Sequence, residues 1–271
     1  MALKLMYITN RPEIAQIAES AGVDRIFIDM EHIGKAERQG GMDTVQSHHT
    51  MEDVRSIKSA ITNSKILVRC NPIHMNSKNE IDSIVEAGAD IIMLPYFKTV
   101  YEVQLFLEYV GGRVKTMPLL ETPDAVACID EILNLDGIDE MFVGLNDLSL
   151  GYGKKFMFEL LSDGTVERLC FKFREKGVPY GFGGIASLGK GMLPSERVIK
   201  EHYRLGSTCV ILSRSFCDVN KIGHMGVISS TFVNGIREIR DFEAECASYV
   251  SYFKENQEKV KEIVGAITAK I

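Results

Sequence analysis

Two carboxylates each stand just behind an apolar run: Glu121 in ETPDAV and Asp147 in GLNDLS, about one strand-plus-helix unit apart. Acidic side chains at the carboxyl ends of neighbouring parallel strands face the same mouth, and their oxygens suit a hard divalent cation such as Mg²⁺ or Mn²⁺. The chemistry predicted is metal-assisted, on a small oxygen-rich substrate. In IDMEH, strand alternation sends Asp29 and Glu31 to one side while the chain turns outward at His32. A histidine there is placed for general-base work, because imidazole titrates near neutrality; a structural or surface histidine is the plainer role. Arg69, in ILVRCNP, lies at the end of the third predicted strand, where a guanidinium meets a carboxylate or a developing enolate oxygen, or ties the mouth together as a salt bridge.

Backbone N–H groups of Gly144, Leu145 and Asn146, beside Asp147, are positioned to hold a substrate carboxylate. The segments GFGGIASLGKG and ILSRSF place Gly183, Gly184, Ser213 and Arg214 where α/β barrels often bind a phosphate or a second carboxylate. Glycines serving only tight turns compete with that reading.

The elements that must hold these residues recur along the chain. Short apolar runs occupy 4–10, 25–31, 65–71, 90–97, 115–122, 137–144, 179–184 and 208–215, each bounded by polar or glycine residues. Amphipathic segments such as PEIAQIAESAG, MEDVRSIKSAI and SERVIKEHYRLG lie between them, several closing on a C-cap glycine. Eight strand-then-helix units with near-continuous apolar strands predict a closed parallel barrel, an α/β (β/α)8 TIM barrel, rather than an open doubly wound sheet. No GxGxxG follows the first strand, so a dinucleotide or other organic cofactor is not expected. Residues 1–232 are read as the barrel and 233–271 as an extended C-terminal helical segment that covers its own barrel or packs on, or swaps with, a neighbouring subunit. The polar stretch at 33–50, with paired glycines and His48–His49, exceeds an ordinary βα connection and reads as a binding loop or as a solvated insertion.

With 271 residues, 45% hydrophobic content and a formal charge of −6, the chain can bury a large core but carries no basic stripe. Nucleic acid and anionic membranes are poor partners for it; a small molecule is the better one. No apolar run reaches membrane-spanning length, MALKLMYITN lacks a signal-peptide core, and the six cysteines show no CxxC or Cys/His spacing. A cytoplasmic protein with reduced cysteines is expected.

IDMEH, ILVRCNP, EAGADIIMLP, LLETPDAV and VGLNDLS, in this order and spacing, resemble the HpcH/HpaI aldolase/citrate lyase family, and more closely its metal-dependent class II pyruvate aldolases. The resemblance covers roughly residues 4 to 216. It implies a phosphoenolpyruvate/pyruvate-type barrel, a divalent metal on Glu121 and Asp147, and pyruvate bound to that metal. It further implies an enolate-stabilising Arg69, a base His32 with Glu86 as its acidic partner, Asp29 in support, and a trimer or hexamer. Two departures stand out: Gly144-Leu145-Asn146-Asp147 replaces the family's Gly-Pro-x-Asp, and the insertion after His32 is long. The expected activity is cleavage or formation of a 4-hydroxy-2-keto acid from pyruvate and an aldehyde. A citrate-lyase-like acyl-CoA lyase or phosphoenolpyruvate-using enzyme, and a non-catalytic metabolite-binding barrel, are the alternatives.

Overall fold

In the computed structural model, which describes residues 2–35, 47–248 and 250–271, each predicted apolar run forms a strand. These are β1 (Lys4–Ile8), β2 (Arg25–Asp29), β3 (Lys65–Arg69), β4 (Ile91–Leu94), β5 (Lys115–Leu120), β6 (Met141–Val143), β7 (Tyr180–Ile185) and β8 (Cys209–Leu212). All pair in parallel in sequence order, and β8 closes on β1, giving the (β/α)8 barrel. All the strands but β7, which runs on to Ile185, stop short of the predicted runs at their carboxyl ends; Glu31, Asn71 and Glu121 lie beyond β2, β3 and β5.

Around the barrel run α1 (Pro12–Ala21), α2 (Met51–Ala60), α3 (Ser77–Glu86), α4 (Val100–Val110), α5 (Pro123–Ala127), α6 (Ile129–Ile132), α7 (Leu145–Gly151), α8 (Glu159–Ser162), α9 (Thr165–Glu175) and α10 (Ser195–Leu205). Local chemistry sets their ends. Thr50 with Asp53 and Thr99 with Glu102 form reciprocal capping boxes at the starts of α2 and α4. Gly22, Gly111 and Gly206 close α1, α4 and α10 in the left-handed conformation that glycine adopts without strain. The C-terminal segment is a helix pair, α11 (Met225–Ser248) and α12 (Phe253–Thr268), so its first helix starts ahead of position 233. Both helices lie on the barrel's own outer layer, α11 against α1 and α10, and α12 against α8 and α10. Among the described residues no helix is long and apolar enough to cross a membrane. All six cysteines are unpaired, and all but Cys128 are buried.

The pleat decides what enters the barrel. Alternate residues point inward, and a middle layer of Met6, Phe27, Leu67, Met93, Leu119, Phe142 and Cys209 fills the interior as a small core separate from the one beneath the helices. Two residues below Phe27, Arg25 grips Glu140 through two hydrogen bonds of 2.9 and 2.6 Å, both side chains almost fully buried. Lys4 approaches the same carboxylate at 3.6 Å. Two residues above the plug, the same alternation delivers Asp29, Arg69, Glu121 and Gly144 to the opposite rim. One end of the barrel is thus sealed by a self-satisfied ion pair, and the other carries charged groups over an apolar floor.

His202 in α10 is fully buried, its ring stacked on Phe182 at 3.9 Å and its Nδ1 2.8 Å from the Ser207 hydroxyl. Burial pushes its pKa down to about 3 from the ordinary 6.5. Below pH 6.5 the unfolded chain therefore binds a proton that the folded chain refuses. His202 contributes its full stabilisation above pH 6.5 and loses it progressively towards pH 3. At about 1.4 kcal/mol per pH unit, the loss at pH 5 is about 2 kcal/mol. His202→Phe keeps a ring on Phe182 and removes the titration, so the urea-unfolding difference between wild type and variant should change by about that amount from pH 7 to pH 5. A difference that does not vary with pH would show that His202 is not excluded from protonation.

Candidate functional site

A cavity of about 210 Å³ opens at the carboxyl ends of the strands. Its floor is the upper face of the plug, with Phe27, Met93, Leu119 and Phe142. Arg69 and Glu121 rise from β3 and β5, Gly144 through Asp147 come from the turn into α7, and Met157, Gly183, Gly184 and Ile211 face them. A larger depression of about 570 Å³ lies at the amino ends, where Arg25 and Lys4 are paired with Glu140, and Lys65 with Asp90 at 3.5 Å. The smaller cavity is the candidate site, because it holds ionisable groups whose environment is not ordinary.

Arg69 is the most constrained of these. It and Asp29 are paired neighbours across β3 and β2, and the guanidinium donates from Nε to Oδ1 and from Nη2 to Oδ2, both at 2.8 Å. Glu31 lies 3.4 Å from Nε, and the guanidinium sits 5.6 Å above the Phe27 ring. Burial alone would lower the pKa of Arg69, but Asp29 and Glu31 outweigh it and raise the pKa, so the cation persists. Burial would likewise raise Asp29, yet Arg69 and then Lys35 hold its carboxyl well below the usual range. Asp29 takes one N–H each from Nε and Nη2, which leaves both N–H groups of Nη1 as candidate donors to a substrate oxygen.

Glu121 is shifted the other way. Burial, helped by the charges of Asp147 and Glu31, raises its pKa well above the ordinary carboxylate range against the opposing pull of Arg69. The Tyr96 backbone N–H donates to its Oε1 at 2.9 Å. To aim that amide, Tyr96 adopts φ +48°, the one positive φ outside glycine among the described residues. Asp147 is buried in the first turn of α7, and the Asn146 amide donates to its Oδ1 at 3.1 Å. Packing sets the spacing of the two acids: a Cβ on Gly151 would fall 2.6 Å from Pro123 Cδ, so α7 lies directly on the proline that comes after Glu121 and Thr122. A second cavity of about 230 Å³, between Tyr96, Pro123 and Leu150, reaches the same two carboxylates from the other side.

The structure thus gathers Arg69, Glu121, Gly144, Leu145, Asn146, Asp147, Gly183 and Gly184 around one cavity, with Asp29 behind Arg69. His32 stands on the rim outside the lining, exposed, with Nδ1 3.2 Å from the Met30 carbonyl oxygen. Because a carbonyl only accepts, that contact places the proton on Nδ1 and the lone pair on Nε2. Ser213 and Arg214 come after β8 but do not line the cavity. Glu86 is a correction. It is the exposed last residue of α3, which runs back from the rim to the start of β4, so the helix carries it to the far end of its own barrel from His32.

Three contributors were not expected from the sequence. Lys35 is buried with Nζ 2.6 Å from Asp29 Oδ2. His49 Nδ1 accepts the Asp29 backbone N–H at 3.0 Å, and burial lowers its pKa. The third is the Tyr96 amide. The spacing of Glu31 and Lys35, four residues apart, was the available signal for the first. Residues 36–46 of the long insertion lie outside the described residues.

Residues 4–159 match the family model for HpcH/HpaI aldolase/citrate lyase. Similar curated sequences include hydroxypyruvate/pyruvate aldolases of Sagittula stellata (23% identical over 172 residues, 52% of this chain and 61% of that protein) and Rhizorhabdus wittichii (31% over 106 residues, 29% and 42%). The matches therefore span less than two thirds of those relatives. In fold, the chain is similar to the HpcH/HpaI aldolase of Desulfitobacterium hafniense DCB-2 (18% identity, TM-score 0.60, 88% of this chain and 93% of that one). It is equally similar to a family protein of Burkholderia cenocepacia J2315 (17% identity, TM-score 0.60, 88% and 94%).

Gly144 leaves the space that Glu121 occupies: a Cβ there would fall 2.6 Å from Oε2 and 2.8 Å from Cβ of Glu121. Gly144→Ala should destabilise the protein by about 1–3 kcal/mol in urea unfolding, as overpacked interiors do. The control Gly265→Ala, in α12 with nothing within 4 Å of its added methyl, should be neutral or slightly stabilising. Equal effects at the two positions would refute the close approach.

Proposed function

The chain belongs to the HpcH/HpaI aldolase/citrate lyase family, and from that premise we propose that it is a divalent-metal-dependent carbon–carbon lyase of the class II pyruvate aldolase type. Its substrate would be a 4-hydroxy-2-keto acid, cleaved to or formed from pyruvate and an aldehyde. The observation that carries this reading is the buried Glu121 beside Asp147 on one cavity wall with the Arg69 cation. Two buried hard-oxygen donors, one raised in pKa by burial and by its neighbour's charge, fit a divalent cation that would relieve both effects. Among the described residues no group of three or more His, Cys, Asp or Glu side chains is placed to hold a metal. Substrate and water oxygens would complete the coordination of Mg²⁺ or Mn²⁺ on Glu121 and Asp147. Such a cation, when bound, polarises a keto group and makes the C3 protons acidic.

The remaining steps belong to the chain's own side chains. The apolar floor of Phe27, Leu119 and Phe142 excludes water beneath the substrate, which strengthens every charge interaction above it. Nη1 of Arg69 meets the keto oxygen as it gains negative charge. His32 Nε2 acts on the end of the substrate that projects from the cavity. In cleavage it takes the C4 hydroxyl proton, the C3–C4 electron pair moves to leave charge on the oxygen beside Arg69, the aldehyde departs, and His32 returns the proton to C3 of the enolate to give pyruvate. In the synthetic direction the same proton returns to the new alkoxide. The aldolase names of the curated relatives support pyruvate as the keto acid.

Proton exchange at C3 of pyruvate tests this without knowledge of the aldehyde. With Mg²⁺ or Mn²⁺ present, the protein in D₂O should exchange the methyl protons, monitored by NMR, and chelation should stop it. Glu121→Gln should abolish exchange, and Arg69→Lys should slow it by about 10²–10³-fold, the usual effect of removing one donor to a developing oxyanion. A metal-loaded wild type that leaves the methyl protons in place would sink the proposal.

A further inference from the structure

Beneath the rim, Asp29 and Glu31 are both almost fully buried on the same face of one chain segment, two residues apart. Two cations answer them. Arg69 contacts Asp29 at 2.8 Å and Glu31 at 3.4 Å; Lys35 contacts Asp29 at 2.6 Å and Glu31 at 3.6 Å. Lys35 reaches this position through a turn: its N–H meets the His32 carbonyl at 3.4 Å, with Gly34 at φ +71°, and the side chain is 5% exposed. At the other described end of the long insertion, His49 accepts the Asp29 backbone N–H. Both ends of that insertion therefore fasten on Asp29, the residue that fixes two of the three guanidinium nitrogens of Arg69.

We infer that Lys35 is a positioning residue for Arg69: by sharing Oδ2 of Asp29 and Oε2 of Glu31 with the guanidinium, it holds the carboxylates that fix Arg69 where it lines the cavity. The inference rests, for its kinetic arm, on the lyase reading above. Lys35 itself is no nucleophile, because its ammonium is occupied by two carboxylates. Its role is electrostatic and geometric. Remove it, and Arg69 is drawn by the charge that Lys35 had balanced on Asp29 Oδ2 and Glu31 Oε2. The favourable response is for Arg69 to shift towards a position shared between them, which turns Nη1 away from the substrate. Misplacement of a charge-stabilising donor by about 1 Å is enough to slow a reaction by about 10²-fold. The insertion that sets this chain apart is, at its described ends, a scaffold for that guanidinium.

Lys35→Met keeps the aliphatic stem and deletes the charge; Lys35→Ala opens a space that methylammonium fits. In Lys35→Met, kcat for pyruvate C3 exchange should fall about 10–100-fold while KM for pyruvate changes less than about threefold, since Arg69 acts on charge that develops in the reaction. Methylammonium should restore Lys35→Ala by about tenfold or more and leave Lys35→Met unaffected, a response that a purely structural lysine would not show. Independently of activity, the Arg69 Nε–H resonance, assigned by its loss in Arg69→Lys, should be slow to exchange with solvent in wild type and at least about tenfold faster in Lys35→Met, because its bond to Asp29 is loosened. Unchanged Nε–H protection and unchanged kcat in Lys35→Met would overturn the inference. A wild type inactive in pyruvate exchange would remove the lyase reading alone, and the Nε–H measurement would still decide whether Lys35 holds Arg69.

Discussion

A buried guanidinium held flat against a buried carboxylate, Arg69 on Asp29, is the interaction to which the rest of the site is referred. Taking either charge out of water alone is expensive, so each is tolerable only because the other is there. Register makes the meeting automatic, since the two residues are direct partners across neighbouring parallel strands. Glu121 has no such partner among the described residues. The attraction Arg69 exerts on it does not overcome burial and the nearby Asp147, and the acid is left with a raised pKa. A carboxyl in that condition gains most from an arriving cation.

The two ends of the barrel show the same physics put to different uses. At the amino end, Arg25 and Glu140 satisfy each other in two hydrogen bonds, Lys4 adds a third charge, and nothing there needs a ligand. At the carboxyl end the charged layer lies two residues beyond the same plug, but it opens onto a cavity. Pleat alternation alone cannot distinguish these ends, because it delivers a polar layer to each. The packing makes the difference: at the amino end Arg25 and Glu140 close on each other, whereas at the carboxyl end Gly144 and Gly183, lacking side chains, let Glu121 and Leu145 pack against them beside an open cavity.

Much of this was legible in the sequence. Eight apolar runs with capped helices between them predict a barrel, and charged residues at or just beyond the carboxyl ends of runs mark its rim; the rim positions of Arg69, Glu121 and Asp147 were readable on that basis. Local spacing could not show how long loops return. Lys35 is six residues past Asp29 in a polar stretch and looks solvated, yet a turn at Gly34 folds it back against the strand. Glu86 shows the converse limit. A motif position suggested a partner for His32, but the direction of α3 takes that carboxylate to the opposite end of the barrel. Helix polarity is dictated by topology, and the eight-fold topology is itself readable from the pattern of runs, so tracing α3 to its end places Glu86 away from the rim.

The backbone supplies the last element, and it is the one that no side-chain pattern announces. Tyr96 is held at φ +48°, a conformation that costs a non-glycine residue about 1–3 kcal/mol and persists only where the surroundings over-determine it. The return on that strain is an amide aimed at Glu121 Oε1. Oε2 of the same carboxylate lies against the bare Cα of Gly144. One oxygen is thus fixed by a donor and the other by the absence of a methyl group, so Glu121 is oriented before any ligand arrives. A purely structural acid could have been exposed to water or paired with a base. An acid that is buried, raised in pKa, aimed by a strained peptide and given space by a glycine is arranged for something that binds it, and those constraints together are what favour this rim as the candidate site.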